Sequence, residues 1–450
     1  MSRSVVITGL GVVSGLGTGV DALWEGLVDG RSSLGPIERF DARGFRSRLA
    51  GEVTGFSARD YVPRSYRKAV KVMARDIQLA VGAASLAVRD ADLRTRVDDG
   101  ETPTYEGSRL GCQIGAGLIA AEADELSMAL ATAVDEQSGR FSLRAWGESG
   151  MNNLQPLWLL KYLPNMLSCH VTILHGATGP SNTITCAEAS GLLSMGESLR
   201  VIQRGDADAC FSGGAESKIN LMGLLRLDLA GRLAATGEEE EGWRFVRPYD
   251  PDAPGQLIGE AGAIAILESG ESARARGARV YAEVVGFGAG HSSPPSIPPL
   301  PEPEADAVED GLVVAIESAL REAGIGAEAI DVIVPHAASI RAVDAREAGA
   351  LRSVFGSRLA RIPIVTTVPN VGESMAGQGG ILAAAGAKCL HEQRLPARLH
   401  DGRSPGLDAG PTPSREATLG YALVCTGSLG GQNAALVLRA PGREGNDPGR

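Results

Sequence analysis

Aromatic residues are scarce, at 4% of 450 positions, whereas glycine occupies 59. With so few large rings and so many residues lacking a Cβ, close backbone approaches and tight turns must be frequent. There is no CxxC pair. The six cysteines, at 112, 169, 186, 210, 389 and 425, are scattered among mostly apolar neighbours. That pattern argues against a zinc site and a disulfide framework, and points to a reducing, bacterial-type cytoplasm. There is no basic excess either: 54 acidic against 43 basic residues leave a net charge of -11. Nucleic-acid and anionic-membrane partners, which need a basic surface, are disfavoured. No apolar run reaches the ~18 residues that a membrane span requires. The start, MSRSVVITGLGVVSGLGTG, is too rich in glycine for a signal peptide and has no cleavage site.

Composition is that of an ordinary soluble protein, 44% hydrophobic and 22% charged. The length suggests about two or three domains, or one large duplicated fold. Short apolar runs alternate with helical patterns, an α/β signature. Strands are expected at Ser4–Val13, Leu110–Gly115, Ala209–Gly213, Val280–Gly286, Val332–Pro335, Ile362–Thr367, Leu419–Thr426 and Ala434–Leu438. Helices are expected at Asp76–Ala87, Leu192–Arg204 and Val308–Ala323; in the last, Val308, Leu312, Ile316 and Leu320 form a stripe. Ser292–Pro303 is too proline-rich for a central element, and the last residues, from 441, form a polar tail. The stretch near 116–170, with Trp146, Trp158 and Tyr162, lacks strand alternation and reads as a helical insertion covering something, such as a dimer partner.

The glycine cluster Gly9–Gly17 has GxGxxxG spacing, and no acidic residue closes a second strand about 20 residues later. It reads as a tight turn rather than a dinucleotide site. The informative segment is GPSNTITCAEASGLLSMGESLRVIQRGDADACFSGGAES, residues 179–217. With VVITGLGVVSGLG at the start, RPYDPDAPGQLIGEAGAIAILES in the middle and GSLGGQNAALVL near the end, it resembles the β-ketoacyl-acyl-carrier-protein synthases (ketosynthases) from about residue 3 to 440. The resemblance implies a thiolase-type duplicated α/β fold in five layers, αβαβα. Its halves would be 1–260 and 261–440, followed by a flexible tail, 441–450.

The resemblance also implies site residues. Matching Gly179-Pro180-Ser181, Ser190-Gly191 and Gly205-Asp206-Ala207-Asp208 without a gap puts the family's nucleophilic cysteine position on Glu188. In HAASIRAVDAREAG the family's first histidine is His336, with Asp344 and Glu347 at the expected offsets and Ala337-Ala338 in place of the usual Gly-Thr. In VPNVGESMAGQG, Glu373 stands for the second histidine and Val368 for the lysine. The amides of residue 188 and of Leu429 are the inferred oxyanion-hole pair.

These replacements bear on chemistry. Holding an acyl chain as a thioester needs a soft nucleophile of depressed pKa, which a helix N-terminus gives a cysteine. A glutamate would form a reactive anhydride instead. Enolate stabilisation needs donors, and a carboxylate at 373 would repel the developing charge. Cys186 lies two residues early, displaced by about 7 Å along a strand, in a site that tolerates about 1 Å; it reads as a buried small residue. Glu188 is either a plug stabilised by the helix end or a general base. Spacing supports no metal set, and no cofactor is expected.

Chains of this family without the cysteine include the chain-length factors of type II polyketide systems, which pair with an active ketosynthase; they usually carry glutamine at this position. The leading expectation is therefore such a partner in fatty-acid or polyketide assembly, as a heterodimer with a ketosynthase or as a homodimer, in the cytoplasm. Alternatives are an autonomous acyl-carrier-dependent decarboxylase or acyltransferase using Glu188 and His336, and a non-enzymatic carrier-binding scaffold. Arg64, Arg67 and Lys68, in PRSYRKAVKVMARD, stand where the family docks its acidic acyl carrier protein; a solvated helix face would explain them nearly as well.

Overall fold

The computed structural model describes residues 3–98, 100–293 and 307–442. In chain order its main elements are β1 (Val5–Ser14), α1 (Arg75–Asp90), β2 (Leu110–Ala116), α2 (Met166–His175), β3 (Ser181–Ile184), α3 (Ser190–Gln203), β4 (Ala209–Ser217) and β5 (Ile258–Ser269). Then come β6 (Ala282–His291), α4 (Asp310–Ala323), β7 (Val332–Val334), α5 (Arg341–Phe355), α6 (Gln378–Glu392), β8 (Tyr421–Gly427) and β9 (Gln432–Arg439).

The strand order is written twice. In the first half, β3, β2 and β4 are parallel neighbours, and β5 then β1 continue the sheet antiparallel. In the second, a parallel bridge at Ile364 leads to β7 and β8, and β9 then β6 continue antiparallel. The halves join where β1 pairs with β6, at Val6–Glu283 and Ile7–Ala282. This is the duplicated thiolase-type α/β arrangement. Helices α3 and α6 pack against each other between the two sheet halves; α1 and α2 cover one outer face, α4 and α5 the other. Three apolar clusters fill these interfaces: a central one containing Leu192, Met195 and Ile381, and outer ones around Ile77 and Ile316.

The glycines expected to form a turn lie partly inside β1. A Cβ on Gly9 would come within 2.4 Å of the Ala87 carbonyl, and one on Gly11 within 1.9 Å of the Ala83 carbonyl. They let α1 lie directly on the strand, so close packing explains Gly9 and Gly11, while the expected tight turn falls at Gly15–Leu16, where Ser14 pairs with Gly17 (φ 133°). A division at 260 would cut β5, whose twelve buried residues pair with both β1 and β4; the first half of the repeat runs through Ser269. Ile362–Thr367 forms only two isolated bridges, Pro363 with Asp408 and Ile364 with Ile333, following a 3-10 turn. Much of the proline-rich loop and all but the first residues of the tail lie outside the described residues. The insertion does hold short helices, Ala123–Ala131, Leu143–Glu148 and Trp158–Lys161. No helix among the described residues is long and apolar enough to cross a membrane.

Candidate functional site

Glu188 lies on a 3-10 turn, Ala187–Ala189, that runs straight into α3. Ala187 bends it with a φ of 46°, a left-handed conformation that is costly for a residue bearing a Cβ. Ser190 holds the bend: its Oγ accepts from the Cys186 amide at 2.8 Å and donates to the Ala187 carbonyl at 2.6 Å. The Glu188 side chain is fully buried, and its carboxylate is ion-paired with the guanidinium of Arg232, which is itself 3% exposed. Burial raises the cost of the Glu188 charge, but Arg232 and then His336 outweigh it and hold its carboxyl below the usual range. The counter-ion is therefore an arginine, where the sequence suggested the helix end. Cys186 is half-buried, and burial raises its thiol pKa, the reverse of what activates a nucleophile.

His336 follows β7 on a loop with two further left-handed residues, Ala337 (φ 51°) and Ser339 (φ 60°). Two buried acids of α5 brace that loop. Glu347 accepts from the amides of His336 and Ala337 at 3.0 and 2.9 Å and from the Tyr249 hydroxyl at 2.7 Å. Asp344 accepts from the amides of Tyr249 and Ser339 at 2.8 and 3.1 Å. Burial pushes Asp344 up to about 7 and raises Glu347 as well. The His336 Nε2 then meets Glu373 Oε2 at 2.7 Å, while the Met375 amide donates to Glu373 Oε1 at 2.9 Å.

Four buried charges thus stand in alternating sign: Arg232, Glu188, His336, Glu373. Burial alone would favour neutral His336, yet Glu373, Glu188 and Glu347 outweigh it and raise the imidazole from 6.5 to about 9. Each acid has its own cation, Arg232 for Glu188 and His336 for Glu373. Val368, at the lysine position, is buried in an apolar cluster. Leu429 lines a cavity together with Arg232, His336, Leu312, Val343 and Asn433, and Glu188 is not among the residues that line it. Arg64, Arg67 and Lys68 are exposed, but on and beside a 3-10 turn (Arg64–Tyr66) rather than on a long helix. Among the described residues no His, Cys, Asp and Glu cluster has the makings of a metal site.

Arg232 escaped the sequence reading. It is one arginine in AGRLAAT, just past the helix Leu221–Leu229, and no spacing ties it to Glu188. An arginine followed at once by apolar and small residues was the only available signal.

The titration of His336 has a measurable consequence. Its folded pKa is above the unfolded one, so its contribution is complete below about pH 6.5 and is lost as pH rises to about 9. Denaturant midpoints should fall across that window, by an amount on the order of 3 kcal/mol in stability. A flat profile from pH 6.5 to 9 would show that His336 is neutral.

Comparison with known proteins places the chain. Residues 2–273 match the beta-ketoacyl synthase N-terminal domain and residues 281–401 the beta-ketoacyl synthase C-terminal domain. The chain belongs to the beta-ketoacyl synthase family. It is 30% identical over 448 residues to 3-oxoacyl-[acyl-carrier-protein] synthase 2 of Vibrio cholerae, covering 97% of this chain and 99% of that protein. To the enzyme of the same name from Staphylococcus aureus (strain MRSA252) it is 30% identical over 438 residues, covering 97% and 98%. Among solved structures, the ishigamide ketosynthase/chain length factor matches with a TM-score of 0.80 at 30% identity, over 98% of this chain and all of that one (100%). A type II polyketide ketosynthase solved with its acyl-carrier protein shares the fold, with a TM-score of 0.80 at 24% identity, over 98% and 100%.

Proposed function

We propose that this chain is a ketosynthase-fold subunit that does not condense by itself and acts as a chain-length-factor-like partner of an active ketosynthase. The observation that carries this reading is the closed row of charges. A condensing site needs an unpaired nucleophile and free donors for a developing oxyanion. Here the nucleophile position holds a carboxylate, and each of the two cations is already engaged by an acid. The similarity to the ishigamide ketosynthase/chain length factor supports a ketosynthase-type partner. So does the surface. Among the described residues, edge strand β3 has one pairing neighbour, β2, and the insertion exposes Leu118, Phe141, Leu143, Leu157 and Leu159. An open sheet edge and exposed apolar side chains each suit a subunit interface. Arg64, Arg67 and Lys68, with no ion pair among the described residues, support docking of an acidic acyl carrier protein.

One experiment separates this from an autonomous enzyme. The purified chain is incubated with malonyl- and acyl-loaded carrier protein and its intact mass measured. No acyl adduct is expected, and carrier retention at low salt should be lost at high salt, because exposed charge contacts are screened. An adduct mapped to Cys186 would overturn the reading.

A further inference from the structure

The charged row does not end at Glu373. The Met375 amide donates to Glu373, and the next amide, of Ala376, donates to Glu216 Oε2 on β4 at 2.9 Å. Glu216 is ion-paired with Lys218, both nearly buried. The Lys218 Nζ donates to the Leu118 carbonyl at 2.8 Å, and Asn220 Nδ2 donates to the Ala120 carbonyl at 3.1 Å. Leu118 and Ala120 belong to the loop that leaves β2 for the insertion, and the Leu118 side chain is 67% exposed.

The links in this chain have little slack. Met375 is held at φ 51°, and a Cβ on Gly214 of β4 would lie 2.0 Å from the Ala376 carbonyl, so the turn is wedged against the strand. A Cβ on Gly117 would lie 2.0 Å from Glu216 Oε1, so the loop backbone rests directly on that carboxylate. Asp76 of α1 also faces Lys218.

We propose that Glu373, Glu216 and Lys218 form a strut that fixes the Leu118 loop from the buried site, so that Lys218 is a positioning residue for the surface that receives the partner subunit. Only the identity of what docks rests on the partner reading; the strut itself is a property of this chain. It gives His336 and Glu373 a use that needs no chemistry.

The test is amide hydrogen exchange on the isolated full-length chain, comparing wild type with Lys218→Met, Glu216→Gln and Glu373→Gln. Each variant should speed exchange across residues 117–122 by about tenfold or more, with β4 unchanged. Pairing with a co-expressed ketosynthase should weaken in parallel. Wild-type exchange at 117–122 in Glu373→Gln would overturn the strut, even if Lys218→Met loosens the loop. Coupling is reciprocal, so Lys218→Met should also move the NMR titration of His336. This second arm does not depend on whether the Glu373 variant folds, and an unmoved titration overturns the proposal. Exchange is read without a partner, so the strut and the partner reading can fail separately.

Discussion

Replacing Glu188 by glutamine should cost roughly 3–5 kcal/mol of stability, despite the near-identical shape of the amide. The variant leaves Arg232, 97% shielded from solvent, with its charge unmatched. Against a total stability of about 5–15 kcal/mol for a typical protein, that is a large fraction. The double change Glu188→Leu with Arg232→Met removes both charges and fills the space with apolar atoms. It should recover most of the loss, since apolar replacements of whole buried pairs are often neutral or better. Urea denaturation of wild type, Glu188→Leu, Arg232→Met and the double variant closes the cycle. A Glu188→Gln cost under about 1 kcal/mol, or a double variant no more stable than the single ones, would mean that the pair is not what holds this site.

The same double variant decides where the chemistry lies. In a complex with a ketosynthase partner, Glu188→Leu/Arg232→Met should keep turnover within about twofold. Removing the partner's nucleophilic cysteine should lower turnover by about 10³-fold or more. If Glu188 is instead a general base, the double variant loses about 10² or more while still folding and pairing. That second outcome would promote the autonomous decarboxylase or acyltransferase reading.

Most of the fold was legible because it is written in local patterns. The stripe Leu312, Ile316 and Leu320 forms the buried face of α4 as its spacing predicts, while Val308, expected to open it, lies half-buried before the helix starts. The strand at Ile258–Ser269 was missed because all twelve residues are buried, which erases the alternation that marks a half-exposed strand. Helix α6 was missed for a related reason: enclosed between the sheet halves, GILAAAGAKCL has no polar face to set a period. At the site, His336, Glu373 and Glu188 were placed by motif order, and the structure brings the three together. Arg232 was not found, because a buried ion pair joins residues that are close in space and carries no mark in sequence spacing. The direction of the Glu188 argument changed with it, from a helix end to a guanidinium.

In evolutionary terms, the alternating charges act as a ratchet. A mutation to cysteine at 188 would strand Arg232 without a counter-ion. One to histidine at 373 would take the carboxylate from His336 and the acceptor from the Met375 amide. Each such step taken alone leaves an uncompensated charge or donor inside the protein, at a cost of several kcal/mol. A lineage that carries this pairing cannot easily leave it one substitution at a time. Descendants should therefore vary at 188 and 232 together, and rarely at either position alone.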